Sequence, residues 1–153
     1  MKIADFIKPE SISTDLESTG KMDVLGELAG PLDGVCPGAD RDSITSVLVE
    51  RERLATTGIG EGVAIPHGKM DDVGSLIAAM GISRTGIHFD AVDGAPVHIF
   101  VALLAPQGST GDHLKALARI SRILKDPGFR ARLLETQTPQ EAYESLLEED
   151  GKY

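Results

Sequence analysis

The sequence predicts an α/β fold, a single-domain sandwich with a central mixed β-sheet and helices on both faces. Segments with helical spacing of apolar residues lie at both ends of the chain, while its middle breaks into short apolar runs separated by turn residues. The last of those runs, Val97 to Ala105, is nearly continuous in Ile, Phe, Val and Leu, as expected of a central strand covered on both faces. Not every strand pair has a helix between its members, so the sheet is expected to be mixed. At 153 residues the chain is the size of one domain, residues 1–153, able to bury a sizeable core.

The first expected helix runs from about Gly20 to Ala29, with Met22, Leu25, Leu28 and Ala29 on one face. Gly30 to Gly38 reads as a linker. Asp40 or Asp42 can then cap a helix reaching about Leu54, with Ile44, Val47, Leu48 and Leu54 as its buried stripe and Arg51 in its last turn. Strands follow at Val63 to Ile65, Leu76 to Ile82, Ile87 to Phe89 and Val97 to Ala105. From about Asp112 to Lys125 a third helix is expected to bury Leu114, Leu117, Ala118, Ser121 and Leu124, leaving Lys115, Arg119 and Arg122 as a solvated basic stripe. Thr138, Pro139 and Glu141 form the start signal of a last helix, with Ala142, Leu146 and Leu147 turned inward.

Composition narrows the partners. A net charge of −9 disfavours nucleic-acid phosphates and anionic lipid, leaving proteins or small molecules. Six carboxylates against one lysine lie between Glu135 and Tyr153, where they are expected to act on solubility or partner choice. A single cysteine, Cys36, allows no internal disulfide, and Asp5 and Glu10 interrupt any leader-like apolar start, so a cytoplasmic protein is expected. The longest apolar run has seven residues where a membrane helix needs about 20, so no membrane insertion is expected.

The densest special stretch is Thr57 to Lys69, TGIGEGVAIPHGK. Its glycines do not fit G-x-G-x-x-G, because the third comes one residue early and the segment leads into a strand; no Walker loop or kinase signature occurs either. His67 follows Pro66, so its ring should project from a stiffened turn, and Gly68 leaves space for an approaching group. A neutral imidazole there can attack a phosphoryl or acyl group and leave again, although a structural turn histidine fits the same residues. His113, in the first turn of a helix, can be a neutral donor to phosphate or a cap of its own helix. Arg51 can offer a fork of donors to phosphate oxygens, or belong with Glu50, Glu52 and Arg53 to a solvated helix end. Glu61 can be a catalytic acid or a surface turn residue. His88 and His98 read as ordinary strand residues. No H-x-x-x-H pair occurs and Cys36 stands alone, so no metal is expected.

Taken together, Arg51-Glu52, Thr57-Gly58 and Ala64-Ile65-Pro66-His67-Gly68 resemble the enzyme IIA domain of the fructose and mannitol class, a component of the bacterial phosphoenolpyruvate-dependent phosphotransferase system. The resemblance extends from IADFIKPESI through Phe89-Asp90-Ala91, Asp93-Gly94, VHIFVALLAP and His113-Leu114 to the final helix. It implies that His67 accepts a phosphoryl group from an HPr-like phosphocarrier, with Arg51 and His113 around that group, no metal or cofactor, and no independent turnover. Glu61 matches a carboxylate near the active histidine in the mannitol branch. The GIGEGVAIPHGK stretch and the LLAP strand end most resemble the nitrogen-regulatory branch, which signals its phosphorylation state to regulatory protein targets. Other readings are a sugar-transport IIA passing phosphate to a IIB partner, a binding module indifferent to phosphorylation, and a histidine-nucleophile hydrolase.

Overall fold

A computed structural model describes residues 1–35 and 38–153. Cys36, singled out above as the lone cysteine, lies outside the described residues, as does part of the linker expected at Gly30 to Gly38. The described residues form six strands, β1 (Ile12–Ser13), β2 (Gly58–Gly60), β3 (Val63–Ala64), β4 (His67–Met70), β5 (Ile77–Ile87) and β6 (Val97–Pro106). Five helices accompany them: α1 (Lys21–Val35), α2 (Arg41–Leu54), α3 (Thr110–Leu124), α4 (Pro127–Glu135) and α5 (Pro139–Asp150). The sheet runs β1-β5-β6-β3-β2, with β4 continuing beside β6. It is mixed: β5 is antiparallel to β6, whereas β3 and β4 are parallel to it.

Strand β6 is the centre, and its alternation separates two cores. Ile99, Val101 and Leu103 belong to the layer that includes Ile120, Phe129 and Leu146 of α3, α4 and α5. Phe100, Ala102 and Leu104 belong to the other, with Leu25, Leu28 and Leu32 of α1 and Ile44 and Leu48 of α2. The sandwich expected from the sequence is therefore present.

Several boundaries differ for physical reasons. Helix α1 continues through Gly30 and Pro31 into what reads as a linker, because Leu32 is fully buried and its packing outweighs the hydrogen bond lost at proline. Met22, expected inside, is exposed, and Val24 takes its place. The runs at Leu76 to Ile82 and at Ile87 belong to one strand, β5, bulged between Ile82 and Ile87, while Phe89 lies beyond it. On α3 the buried face is His113, Ala116, Ile120, Ile123 and Leu124, one residue round from the expected stripe; Leu114 is 61% exposed. Leu54 at 81% and Leu147 at 37% are also exposed rather than buried. Asp40 caps α2 by accepting from the Ser43 amide, and Thr138 caps α5 by accepting from the Glu141 amide. The Glu141 carboxylate reaches back to the amide of Gln137, one residue before the cap, instead of closing the box on Thr138.

The acidic C-terminal region is partly internal. Asp150 is 2% exposed and accepts from the Ile3 amide at 2.8 Å and from Arg119 Nε, while Glu149, 1% exposed, meets Arg132 and Lys152. Two of the six carboxylates thus fasten the chain ends, and Arg119 leaves the expected solvated stripe to do so.

Candidate functional site

Strands β3 and β4 lie along the same side of β6, in register from Val63 opposite Ile99 to Met70 opposite Pro106. Between them Pro66, which has no N–H, interrupts the ladder, although its carbonyl still accepts from Leu103 N–H at 2.8 Å. At this interruption the Ile65 carbonyl faces the His67 ring instead of a neighbouring strand, and Nδ1 lies 2.7 Å from it. A carbonyl only accepts, so the proton is on Nδ1 and Nε2 keeps its lone pair. The Ile65 amide in turn donates to the Thr57 carbonyl at 3.0 Å.

Successive residues of β4 face opposite layers. His67 is turned toward α3, where its ring meets His113 edge to face at 5.2 Å between centroids. Gly68 is turned toward α2, and a Cβ there would stand 2.3 Å from Val47 Cγ1. The space at Gly68 therefore admits helix α2, and Gly68 also lines the cleft beside His67.

A cleft of about 700 Å³ opens between the end of α2 and the start of α3. Arg51, His67, Lys69, Thr110 and His113 are among its lining, together with the apolar Leu54, Leu114 and Leu117. The structure thus brings together Arg51, His67 and His113. Arg51 donates from Nη1 to the Ala55 carbonyl at 3.0 Å, which holds the guanidinium at the helix end, and no carboxylate of the described residues pairs with it. Burial lowers the His67 pKa below the ordinary histidine value; the Ile65 bond opposes this, Arg51 adds to it and Glu52 opposes it. His113 is 6% exposed, neither ring nitrogen has a partner, and burial with the neighbouring His67, Lys69 and Arg51 charges lowers its pKa to about 4. Both rings are therefore neutral near pH 7. His113 does not cap its helix, since the cap position is Ser109, whose side chain makes no capping bond; the first-turn amides of α3 remain without a side-chain acceptor there.

Glu61 is elsewhere. It occupies the β2–β3 turn at φ 59°, and its exposed carboxylate lies 3.4 Å from Arg130 of α4, outside the cleft lining. His88 is exposed beside Asp90, 3.1 Å away, and His98 points Nδ1 at the Ser83 carbonyl at 2.9 Å. Lys69 was not singled out from sequence, yet its Nζ donates to Thr110 Oγ1 at 2.9 Å across the cleft. Its spacing of two from His67 places both on one strand face, a signal available once β4 is seen as a strand. Glu52 was read as part of a solvated helix end, but it is 4% exposed and bound to Thr57. No group of three or more His, Cys, Asp and Glu among the described residues has metal-site geometry.

The arrangement offers one neutral imidazole nitrogen, two nearby cations and a helix N-terminus, a set suited to holding a tetrahedral anion against a nucleophile. The fold around it is that of the phosphotransferase IIA proteins. A crystal structure of nitrogen regulatory protein IIA-Ntr from Neisseria meningitidis superposes with a TM-score of 0.88 at 30% identity, over 94% of this chain and 98% of that one. IIA mannitol from Escherichia coli shares the fold with a TM-score of 0.78 at 20% identity, over 91% of this chain and 97% of that one. The model of the phosphoenolpyruvate-dependent sugar phosphotransferase system, EIIA 2, matches residues 5–149, and the chain belongs to that family. It is 38% identical to a nitrogen regulatory protein of Bradyrhizobium diazoefficiens over 95% of both chains. It is also 33% identical to the fructose-specific EIIABC component of Bacillus subtilis, over 98% of this chain but only 24% of that longer protein.

Proposed function

We propose that this protein is a cytoplasmic phosphoryl carrier and regulator, reversibly phosphorylated on Nε2 of His67 by an HPr-like phosphocarrier. The observation that carries the reading is the bond from His67 Nδ1 to the Ile65 carbonyl, which leaves Nε2 as the free nucleophile at the cleft. In the transfer, the Nε2 lone pair forms a bond to phosphorus while the donor's P–N bond breaks and its electron pair returns to the donor imidazole. His67 keeps its Nδ1 proton and becomes cationic, and the Ile65 carbonyl then accepts a charge-assisted hydrogen bond. Arg51, Lys69 and the α3 amides stabilise charge on the equatorial oxygens, and His113 supplies a neutral donor from its otherwise unpaired ring.

Similarity to nitrogen regulatory proteins over nearly full length favours signalling to regulatory protein targets as the output. Transport is the second reading, favoured by the match to a fructose-specific EIIABC component, in which a IIB protein would receive the phosphoryl group. Incubation with phosphoenolpyruvate, enzyme I and an HPr-like carrier is expected to give an acid-labile phosphoryl adduct, and adding IIB proteins then reads whether the group passes on. Loss of label to a sugar-specific IIB at a rate matching its arrival would favour transport over signalling.

A further inference from the structure

One buried carboxyl side chain beside the cleft, Glu52, has no part in the transfer described above. Glu52 follows Arg51 on α2, and its two carboxylate oxygens accept both polar hydrogens of Thr57, the amide at 2.7 Å and the hydroxyl at 2.5 Å. Lys21 Nζ of α1 approaches the same carboxylate at 3.5 Å and is itself held over the Phe89 ring. From Thr57 the chain of bonds continues. Its carbonyl accepts from the Ile65 amide at 3.0 Å, and the Ile65 carbonyl accepts from His67 Nδ1 at 2.7 Å.

We propose that Glu52 is a positioning residue for His67, fixing Thr57 and through it the Ile65 carbonyl, so that the imidazole is held in the tautomer that presents Nε2 to the cleft. This rests on the assignment of His67 as phosphoryl acceptor. Burying a carboxylate is costly, and Thr57 needs only acceptors, which a neutral amide could supply in part. The charge has a consequence of its own. Arg51 and Glu52 stand next to each other on α2 with opposite effects on the His67 ring, the arginine disfavouring its protonation and the glutamate favouring it. Arg51 and Lys69 hold the incoming anion, while Glu52 supports the positive ring that remains after transfer. The other charged and titratable groups facing His67 are His113 on α3 and Lys69 on β4; Lys21 on α1 faces Glu52.

The test follows the imidazole signals of His67 and His113 by NMR through a pH titration, in the wild type, Glu52→Gln and Glu52→Asp. In Glu52→Gln the His67 midpoint is expected to move to lower pH and its Nδ1 proton to exchange faster with water, while the His113 midpoint stays in place. Glu52→Asp, which keeps the charge, is expected to recover part of both. Phosphoryl transfer from the HPr-like donor is expected to slow about tenfold in Glu52→Gln with donor affinity unchanged. A folded Glu52→Gln with the His67 midpoint, proton exchange and transfer rate of the wild type would overturn the proposal. If Glu52→Gln does not fold, Thr57→Val against Thr57→Ser decides it: faster Nδ1 proton exchange only in the valine variant supports the chain of bonds, and equal exchange in both refutes it. The NMR arm needs no donor, so absence of labelling in the wild type would remove the acceptor assignment while the positioning of the ring is still decided.

Discussion

The corner where the chain ends meet and the cleft beside His67 treat buried polar groups in opposite ways. At the corner, Asp150 and Glu149 are almost fully buried, yet each meets a cation, and Asp150 also accepts the Ile3 amide. At the cleft, His113 is nearly as buried and both its ring nitrogens lack partners, the only such side-chain atoms among the described residues. An unpaired buried polar group costs about 1 to 3 kcal/mol, so a fold that satisfies its polar groups elsewhere retains this one against stability. The corner has complete pairs, whereas the cleft leaves His113 incomplete, as expected if the phosphoryl group proposed above completes it.

The largest effect that would sharpen this contrast is at the corner. Asp150→Ala leaves the Ile3 amide without its acceptor and Arg119 with only the backbone carbonyl of residue 150, and is expected to cost about 3 to 5 kcal/mol of stability in denaturant unfolding, while the folded fraction still accepts phosphate at the wild-type rate. Reduced transfer in folded Asp150→Ala would join the two regions and break the comparison. At the cleft, Arg51→Ala is expected to slow phosphoryl transfer by about 10² to 10³ with little change in unfolding free energy, because under the proposed function it removes a donor to developing charge.

His113 connects stability with pH. Its folded pKa of about 4 lies below the ordinary histidine value, so the unfolded chain binds the proton first as pH falls. The stability associated with the neutral buried ring is full above about pH 6.5 and is lost progressively as the pH falls toward 4. His113→Phe is expected to flatten the unfolding free energy over that interval while slowing transfer; an unchanged pH slope would show that the ring is not held neutral. The smallest effect is at Leu147, which is exposed despite its place in an apolar pattern, and Leu147→Ala should change stability by less than about 0.5 kcal/mol.

How far the sequence discloses this molecule depends on how many residues carry each signal. Strand β6 and helices α2, α3 and α5 are long enough for periodicity to show, and Asp40 and Thr138 mark helix starts that the structure has. Strands β1, β2 and β4 have two to four residues each, too few for alternation to stand out from glycine-rich turns. The short helix α4, begun by Asp126 and Pro127, likewise has no long apolar repeat to mark it in the sequence. On α3, the spacing of Leu114, Leu117 and Leu124 suggested a face one residue away from the true one, because leucines exposed beside the cleft resemble core leucines in a linear pattern. The cluster of Arg51, His67 and His113 was legible only through the resemblance to the phosphotransferase IIA family, since each residue alone allows a structural reading, whereas Lys69 depends on β4 being a strand and Glu52 on α1 lying beside α2. A charged run such as Glu50 to Arg53 gives no sign of which member turns inward.

The most direct measurement is the phosphotransfer reaction with phosphoenolpyruvate, enzyme I and an HPr-like carrier, followed by mapping of the modified residue. One acid-labile phosphoryl group is expected on His67, absent from a folded His67→Ala variant. Label that persists in His67→Ala, or that maps to His113, His88 or His98 in the wild type, would contradict it.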